Sequence, residues 1–336
     1  MRRALAMMAL VMVAGTGTAL AQSKTGTTIG QFMAIEPSAR AAAMGNAGVA
    51  LYDGIQSVYY NPGALGSLEN AAVQFTYSDW YAGITYNYAA GGLPVRGLGT
   101  VFASVTALNS GDIDVRTVSQ PDGTGERYTV SNVALGLGFG RQITSRFGAG
   151  IQLNYINETI WHSSVGIMSL NLGTVYRLSE NGLKIGASLT NLGTQGSYSG
   201  RDLAIQYDAD PDRNGDNSAL PGEQYTGAFP LPISFRVGVS YPHDLNSRTQ
   251  VLLLAEAIHP SDNSESISAG MEWTWNRLLS LRAGYQSLFQ ADSDLGPSLG
   301  LGLQLDIDES RLHFDYAWAD HSRLQETHRM TVVLEF

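Results

Sequence analysis

Met330-Thr331-Val332-Val333-Leu334-Glu335-Phe336 closes the 336-residue chain on an alternating run that ends in an aromatic. Successive side chains of a strand point to opposite faces, so Met330, Val332, Leu334 and Phe336 share one apolar face. Such a terminal strand, read as a barrel-assembly signal, is how a bacterial outer-membrane β-barrel ends. The surroundings are then lipid outside the sheet and water or protein inside it.

The same alternation recurs upstream. Phe147, Ile151, Leu153 and Tyr155 point one way along their segment, and Gly148, Gly150, Gln152 and Asn154 the other. Ile233, Phe235, Val237 and Val239 alternate likewise with Ser234, Arg236, Gly238 and Ser240. Gly136, Gly138 and Gly140 form a thin inner wall opposite outward apolar residues. Runs of this kind predict strands at 72–80, 83–93, 97–107, 129–140, 146–158, 164–177, 182–192, 231–241, 249–258, 265–275, 278–288, 296–307, 311–319 and 327–336. The count is fourteen, and an even number suits a closed antiparallel bacterial barrel.

The connections give a second, independent pattern. Alternate ones are short, such as Ser179-Glu-Asn-Gly182 and Asp308-Glu-Ser310, whereas 108–128 and 193–230 are long. Short periplasmic turns and longer outer loops are the usual barrel asymmetry, which places both termini in the periplasm. A secreted β-sandwich also alternates, but it buries its apolar face and gives no reason for the terminal aromatic strand.

Residues 1–21 read as a signal peptide: Arg2 and Arg3, a short apolar core from Ala4 to Ala14, then Ala19-Leu20-Ala21 before Gln22. The apolar core is shorter than the roughly 20 residues of a spanning helix. No cysteine is present, which excludes a lipoprotein anchor, a disulfide scaffold, thiol catalysis and thiolate-bound metal. The formal charge is -10, and losing Arg2 and Arg3 leaves 18 basic against 30 acidic residues, or -12. Such an acidic chain is a poor partner for nucleic acid.

Residues 22–71 carry no strand period and read as a hatch or plug ahead of a barrel at 72–336. Glu36 to Gly45 is an alanine-rich helix with Pro37 near its start and Gly45 at its end. About 50 small, apolar residues beside a barrel of this size fit inside it. Here Ser38-Ala-Arg-Ala-Ala-Ala-Met-Gly-Asn-Ala-Gly-Val-Ala50, followed by Tyr59-Tyr-Asn-Pro-Gly-Ala-Leu65, resembles the opening of the PorV/PorQ family, a branch of the FadL-like outer-membrane barrels. Asn46, Tyr60 and the order Pro62-Gly63-Ala64 depart from the usual wording, where Gly, Trp and Pro-Ala-Gly stand. The resemblance implies a fourteen-stranded plugged barrel. Its motif residues are Ser38, Arg40, Met44, Gly45, Asn61 and Pro62.

Two functions follow from that resemblance. PorV/PorQ members serve type IX secretion by docking cargo or translocon partners at the surface. FadL-like members pass hydrophobic solutes, such as fatty acids and aromatic hydrocarbons, through a hatch-plugged barrel toward a lateral wall opening. Gly-rich inner walls and inward charges suggest a filled lumen and favour docking. Lipid and the barrel-assembly machinery are partners in either case. Transport requires in addition a lumen or wall gap and an apolar pocket near the outer loops.

Local constellations add detail. Asp210, Asp212, Asn214, Gly215, Asp216 and Ser218 match the opening of a calcium loop, although Pro221 stands where a bidentate Glu belongs. Lys184, Arg236, Glu256, Arg282, Asp306, Asp315 and Glu335 face inward, either lining a solute path or pairing to lock the plug. Pairing takes precedence because buried charges need partners. Tyr77, Trp80, Tyr81, Tyr86 and Tyr88, with Trp273, Trp275 and Trp318, read as interfacial girdle. No His-Glu-x-x-His or Gly-x-Ser-x-Gly arrangement points to catalysis, so a non-enzymatic protein is expected.

Overall fold

The computed structural model describes residues 25–336 apart from 52–53, 180–181, 209, 211, 213–218 and 291–292, so the expected signal segment lies outside the described residues. Fourteen long antiparallel strands form one sheet that closes on itself. In chain order they are β1 (Ala72–Asp79), β2 (Thr85–Val95), β3 (Gly99–Asn109), β4 (Val130–Gln142), β5 (Phe147–Ile160), β6 (Ser163–Arg177) and β7 (Lys184–Gly193). The second half is β8 (Ser234–Asn246), β9 (Thr249–Pro260), β10 (Ser266–Trp275), β11 (Leu279–Leu288), β12 (Pro297–Ile307), β13 (Ser310–Asp320) and β14 (Glu326–Glu335). Each pairs with its sequence neighbour, and β1 pairs with β14 from Ala72↔Glu335 to Asp79↔His328.

The expected strands and their order are therefore present. Most boundaries move by no more than about two residues, and β8 shifts most, running on to Asn246 where 241 was expected. Ala82 and Gly83 take positive φ in the first turn, which delays β2 to Thr85. β3 then follows two residues later than expected. The stretch 231–233 is not part of β8, which begins at Ser234.

The alternation separates two environments. Phe75 is 61 % exposed on the outside of β1 while Gln74, beside it, is 1 % exposed inside. Leu135, Leu137, Leu153, Phe235, Leu299 and Leu301 continue the exposed apolar exterior. Met330, Val332, Leu334 and Phe336 belong to it, as their spacing requires. A sheet that is apolar outside and polar inside is stable only with an apolar medium around it.

Connections at one end of the barrel are two to six residues long and those at the other include 110–129 and 194–233. Phe336 lies at the short-turn end, its N–H bonded to Ala71 O at 2.9 Å. The first described residues are at the opposite, long-loop end. Ile29 N donates to Pro230 O at 3.0 Å, and Thr28 Oγ1 donates to Asp262 Oδ2 at 2.7 Å. The expectation that both termini share one end thus does not hold for the described residues. The segment before β1 is long enough to run the whole barrel, so it need not begin where β1 begins.

Between Ile29 and Leu68 this segment passes down the lumen as a short helix, α1 (Ala39–Ala42), and several 3-10 turns. Ser38 caps α1, its Oγ accepting from Ala41 N, and Gly45 at φ 68 ends it. The segment touches the sheet backbone to backbone. A Cβ at Gly173 would strike Asn61 and Pro62, and one at Gly284 would strike Met44 and Gly45. Inner-wall glycines are therefore the seat of the segment. We expect Gly173→Leu to lower stability by about 1–3 kcal/mol through overpacking. Gly91→Ala, whose added carbon meets nothing nearer than 3.7 Å, serves as the control. Thermal unfolding in detergent should separate the two variants.

Candidate functional site

The lumen is organised by two buried ionic networks that tie the N-terminal segment to the wall. In the first, Arg40 reaches Glu272 at 2.6 Å, Glu272 holds Arg282 at 2.5 Å, and Arg282 holds Asp315 at 2.6 Å. Asp315 then accepts from Gln56 Nε2 at 3.0 Å, and Gln56 Oε1 accepts from the Ser38 hydroxyl at 2.5 Å. Two guanidinium groups meet two carboxylates, so the network is formally neutral. In the second, Arg236 pairs with Glu36 at 3.0 Å and Glu256 at 3.3 Å. Glu256 also accepts from Val49 N at 2.7 Å.

Neutral hydrogen bonds complete the attachment, because every buried peptide group of the segment needs a partner. Ala39 N donates to Thr331 Oγ1 and Gly45 N to Ser298 Oγ, at 3.0 and 3.1 Å. Asn61 Nδ2 donates to Val49 O and Thr174 O, and its Oδ1 accepts from Gly63 N. Pro62 follows at the start of a 3-10 turn, where its missing N–H costs nothing. Ser38, Arg40, Met44, Gly45, Asn61 and Pro62, the motif residues, are all buried or nearly so at the contact between segment and wall.

Among the expected inward charges, Arg236, Glu256, Arg282 and Asp315 meet in these networks. Lys184 takes an inward position at the start of β7, half-buried near the short-turn end. Asp306, 66 % exposed, is not a lumen charge, whereas Glu335 is 18 % exposed and faces inward beside Gly54 at the edge of the lumen. They flank Arg311 at 3.0 and 3.2 Å on the short-turn rim, where the strands reach solvent. Glu36, Glu272 and Arg329 were not anticipated. Glu272 and Arg329 share the inward parity of their strands and were legible on that ground.

Tyr86 and Tyr88 are likewise not girdle residues. Both are buried inside the barrel, and Tyr86 OH donates to Ile35 O at 2.9 Å. They stand opposite Ser78 and Thr76, which fixes their inward facing. Of the expected calcium ligands, Asn214, Asp216 and Ser218 lie outside the described residues. Asp210 and Asp212 sit in the tip joining the paired segments Ala204–Tyr207 and Leu220–Glu223.

The loop end carries an open cavity of ≈ 870 Å³ whose wall is mostly apolar, from Ile113, Val115, Tyr128, Ile160, Trp161, Tyr198 and Leu203, with Asp114, Arg116 and Asp202 at its margin. Tyr198 also packs on the cluster beneath it, where Ile29, Phe32 and Met33 close against Ile156, Val165, Ile167 and Leu231. This is an apolar gasket across the upper lumen. Next to it the strand ladder, though not the wall, is interrupted. β7 bulges at Thr190–Asn191, with Asn191 at φ 60, and its ladder with β8 stops at Thr190↔Ser234. Beyond that point the strap Phe229-Pro-Leu-Pro232 stands beside β7, held by Asn191 Nδ2 to Pro232 O at 3.1 Å, by Ile29 N to Pro230 O and by the two backbone bonds of a Gly196↔Phe229 bridge. Pro230 and Pro232 have no N–H to lend to a ladder.

Breaking the first network should be costly. Arg282→Ala leaves Glu272 and Asp315 buried without their shared cation, and we expect a loss of about 3–5 kcal/mol. Arg282→Lys should recover part of it. Unfolding of the detergent-solubilised barrel is the measurement.

No protein-family model matches the sequence, nor does any curated protein. Solved structures do. The chain is similar to the Pseudomonas putida toluene transporter TodX at TM-score 0.54 and 14% identity, over 90% of this chain and 98% of that one. It is similar to the Ralstonia pickettii toluene transporter TbuX at TM-score 0.55 and 13% identity, over 89% and 97% of the two chains. The monoaromatic hydrocarbon channel CymD follows at TM-score 0.51 and 12% identity, over 89% and 96%. At these identities the likeness is one of fold: a closed fourteen-stranded antiparallel barrel of FadL-like architecture.

Proposed function

We propose that this chain is a non-enzymatic outer-membrane channel for small hydrophobic molecules, with residues 25–71 as its plug, the long loops outside and the ladder gap between β7 and β8 as the exit. The observation that carries the proposal is the mostly apolar cavity at the loop end, joined through Tyr198 to an apolar gasket beside the ladder gap. A monoaromatic ring that buries about 200 Å² there gains about 5 kcal/mol from leaving water, which supports weak, reversible capture. From the cavity, a solute passing Tyr198 displaces Phe32 and Leu231, and Leu231 belongs to the strap that fills the gap. Release sideways into lipid keeps the solute out of the polar lumen and leaves the ionic networks intact.

The barrels of similar fold are named for toluene and monoaromatic hydrocarbons, and the cavity suits that solute class. Type IX docking of the PorV/PorQ kind rests on the motif at 38–65 and requires only a surface. It gives no role to the cavity, the gasket or the gap, so transport takes precedence.

Flux of toluene and of a long-chain fatty acid into liposomes containing the purified barrel tests the proposal. Saturable toluene flux, reduced at least tenfold by Trp161→Asp with Tyr198→Asp, is the expected result. Flux equal to that of empty liposomes would refute the channel and return docking to first place.

A further inference from the structure

The short-turn rim is unevenly charged. From the approach to β1 round to β7 it carries Arg96, Arg141, Arg146, Arg177 and Lys184 against Glu69 and Glu180, five less two, or a formal +3. From β8 to β14 it carries Arg248, Arg277 and Arg311 against Asp244, Asp306, Asp308, Glu309 and Glu335, three less five, or -2. At the opposite end the connections 110–129 and 194–233 hold four basic and ten acidic residues. A chain that is acidic overall thus gathers positive charge in one sector of one rim.

Three of these guanidinium groups, those of Arg96, Arg141 and Arg146, are exposed, and among the described residues their side chains enter no ion pair or hydrogen bond. Arg96 stands in the β2–β3 turn, which Leu98 N closes by donating to Val95 O at 3.0 Å. Arg146 stands in the β4–β5 turn, where Thr144 Oγ1 accepts from the N–H groups of Arg146 and Phe147. Arg177 reaches the same turn, its Nη2 donating to Ser145 O at 2.6 Å. β3 and β4 are neighbours, so the two turns lie about 10 Å apart along the rim. Arg141 ends β4 with the parity of Leu135 and Leu137, so it continues a lipid-facing column. Apolar side chains are exposed beside the charges: Leu98 is 50 % exposed and Ile143 58 %.

We infer that this sector is a docking surface for anionic phospholipid, with phosphates on Arg96, Arg141 and Arg146 and the first acyl carbons on Leu98 and Ile143. A guanidinium offers a planar fork of N–H donors that fits a phosphate, and its stem lies on apolar surface while its head stays at the polar boundary. Basic residues beside a membrane draw anionic headgroups to them. A soluble anion or an acidic protein segment answers the charges but gives the interleaved Leu98 and Ile143 no partner. The inference rests on the long loops being outside, which turns this rim toward the inner leaflet. The lipid-held strands include β5 and β6, whose Gly148, Gly150 and Gly173 seat Asn61 to Gly63, so headgroups pin the side of the barrel against which that part of the plug rests.

Native mass spectrometry of the detergent-solubilised full chain, offered equal amounts of dioleoyl phosphatidylglycerol and dioleoyl phosphatidylcholine, tests this. Retention of phosphatidylglycerol in about tenfold preference is expected. The preference should shrink as salt is raised from about 50 to about 500 mM. Arg96→Gln, Arg141→Gln and Arg146→Gln together should bring the two lipids to near parity with an unchanged melting temperature. Arg248→Gln with Arg277→Gln, in the other sector, should leave the preference as it is. Equal retention of the two lipids by the unaltered chain would overturn the inference, whatever the variants do. So would equal losses in the two sets of variants, which would mark total charge alone. Displacement of the lipid by inorganic phosphate or polyglutamate at equal concentration would also overturn it, in favour of a soluble anion or an acidic protein. Hydrocarbon flux does not enter these measurements, so either conclusion can fail alone.

Discussion

The structure depends on one constraint: a sheet that turns its apolar face outward must satisfy everything it turns inward. Fourteen strands enclose more space than their own inward side chains fill, and most of those side chains are small or polar. The N-terminal segment completes the interior. Its peptide groups bond to Thr331, Ser298 and Glu256, and its backbone rests on wall glycines where any side chain would hold it off. Wall and segment are therefore a single interior, in which glycine on one side and unsatisfied peptide groups on the other are two halves of the same contact.

Electrostatics divides that interior into zones. The Arg40–Glu272–Arg282–Asp315 network is balanced and lies where α1 meets the wall, so it fastens. The Arg236 cluster has one carboxylate too many and borders open space. A buried pair contributes little net stability but is expensive to break, so both clusters fix the position of the segment more than they stabilise the barrel. The apolar gasket lies apart from both. The side chains of Phe32 and Met33 make dispersion contacts only, and such contacts yield more readily than ion pairs when a competing apolar molecule arrives.

Much of the fold was legible because lipid and lumen impose opposite demands on adjacent residues, and a two-residue period such as Ile151, Leu153, Tyr155 records them directly. The same parity would have turned Tyr86 and Tyr88 inward and added Glu272 and Arg329 to the lumen. They were missed because aromatic clustering was read as girdle and because charges were sought strand by strand. Asp306 has inward parity but lies at a strand end, where parity no longer separates lumen from solvent. The segment before β1 was separable from the strands by what it lacked, a period. Its path was not legible, since helix and turn signals around Ser38, Gly45 and Pro62 give local shape without direction along the barrel. Leu231 and Pro232 of the strap were absorbed into a strand because their neighbours Ile233 to Val239 alternate, although Pro232 argues against a ladder there. The cavity is formed by residues distant in sequence, and no local pattern announces it.

The central claim is that hydrophobic solutes leave through the wall while the plug stays seated. A chain without cysteine allows a direct test. Ala39→Cys with Thr331→Cys places a cross-link between α1 and β14, where the backbone of one already bonds the side chain of the other at 3.0 Å. Toluene flux into liposomes is then compared between oxidised and reduced protein. The account predicts equal flux in the two states, because the locked region is not on the path. Flux abolished on oxidation and restored on reduction would contradict it and show that solutes travel down the barrel axis past a plug that must move.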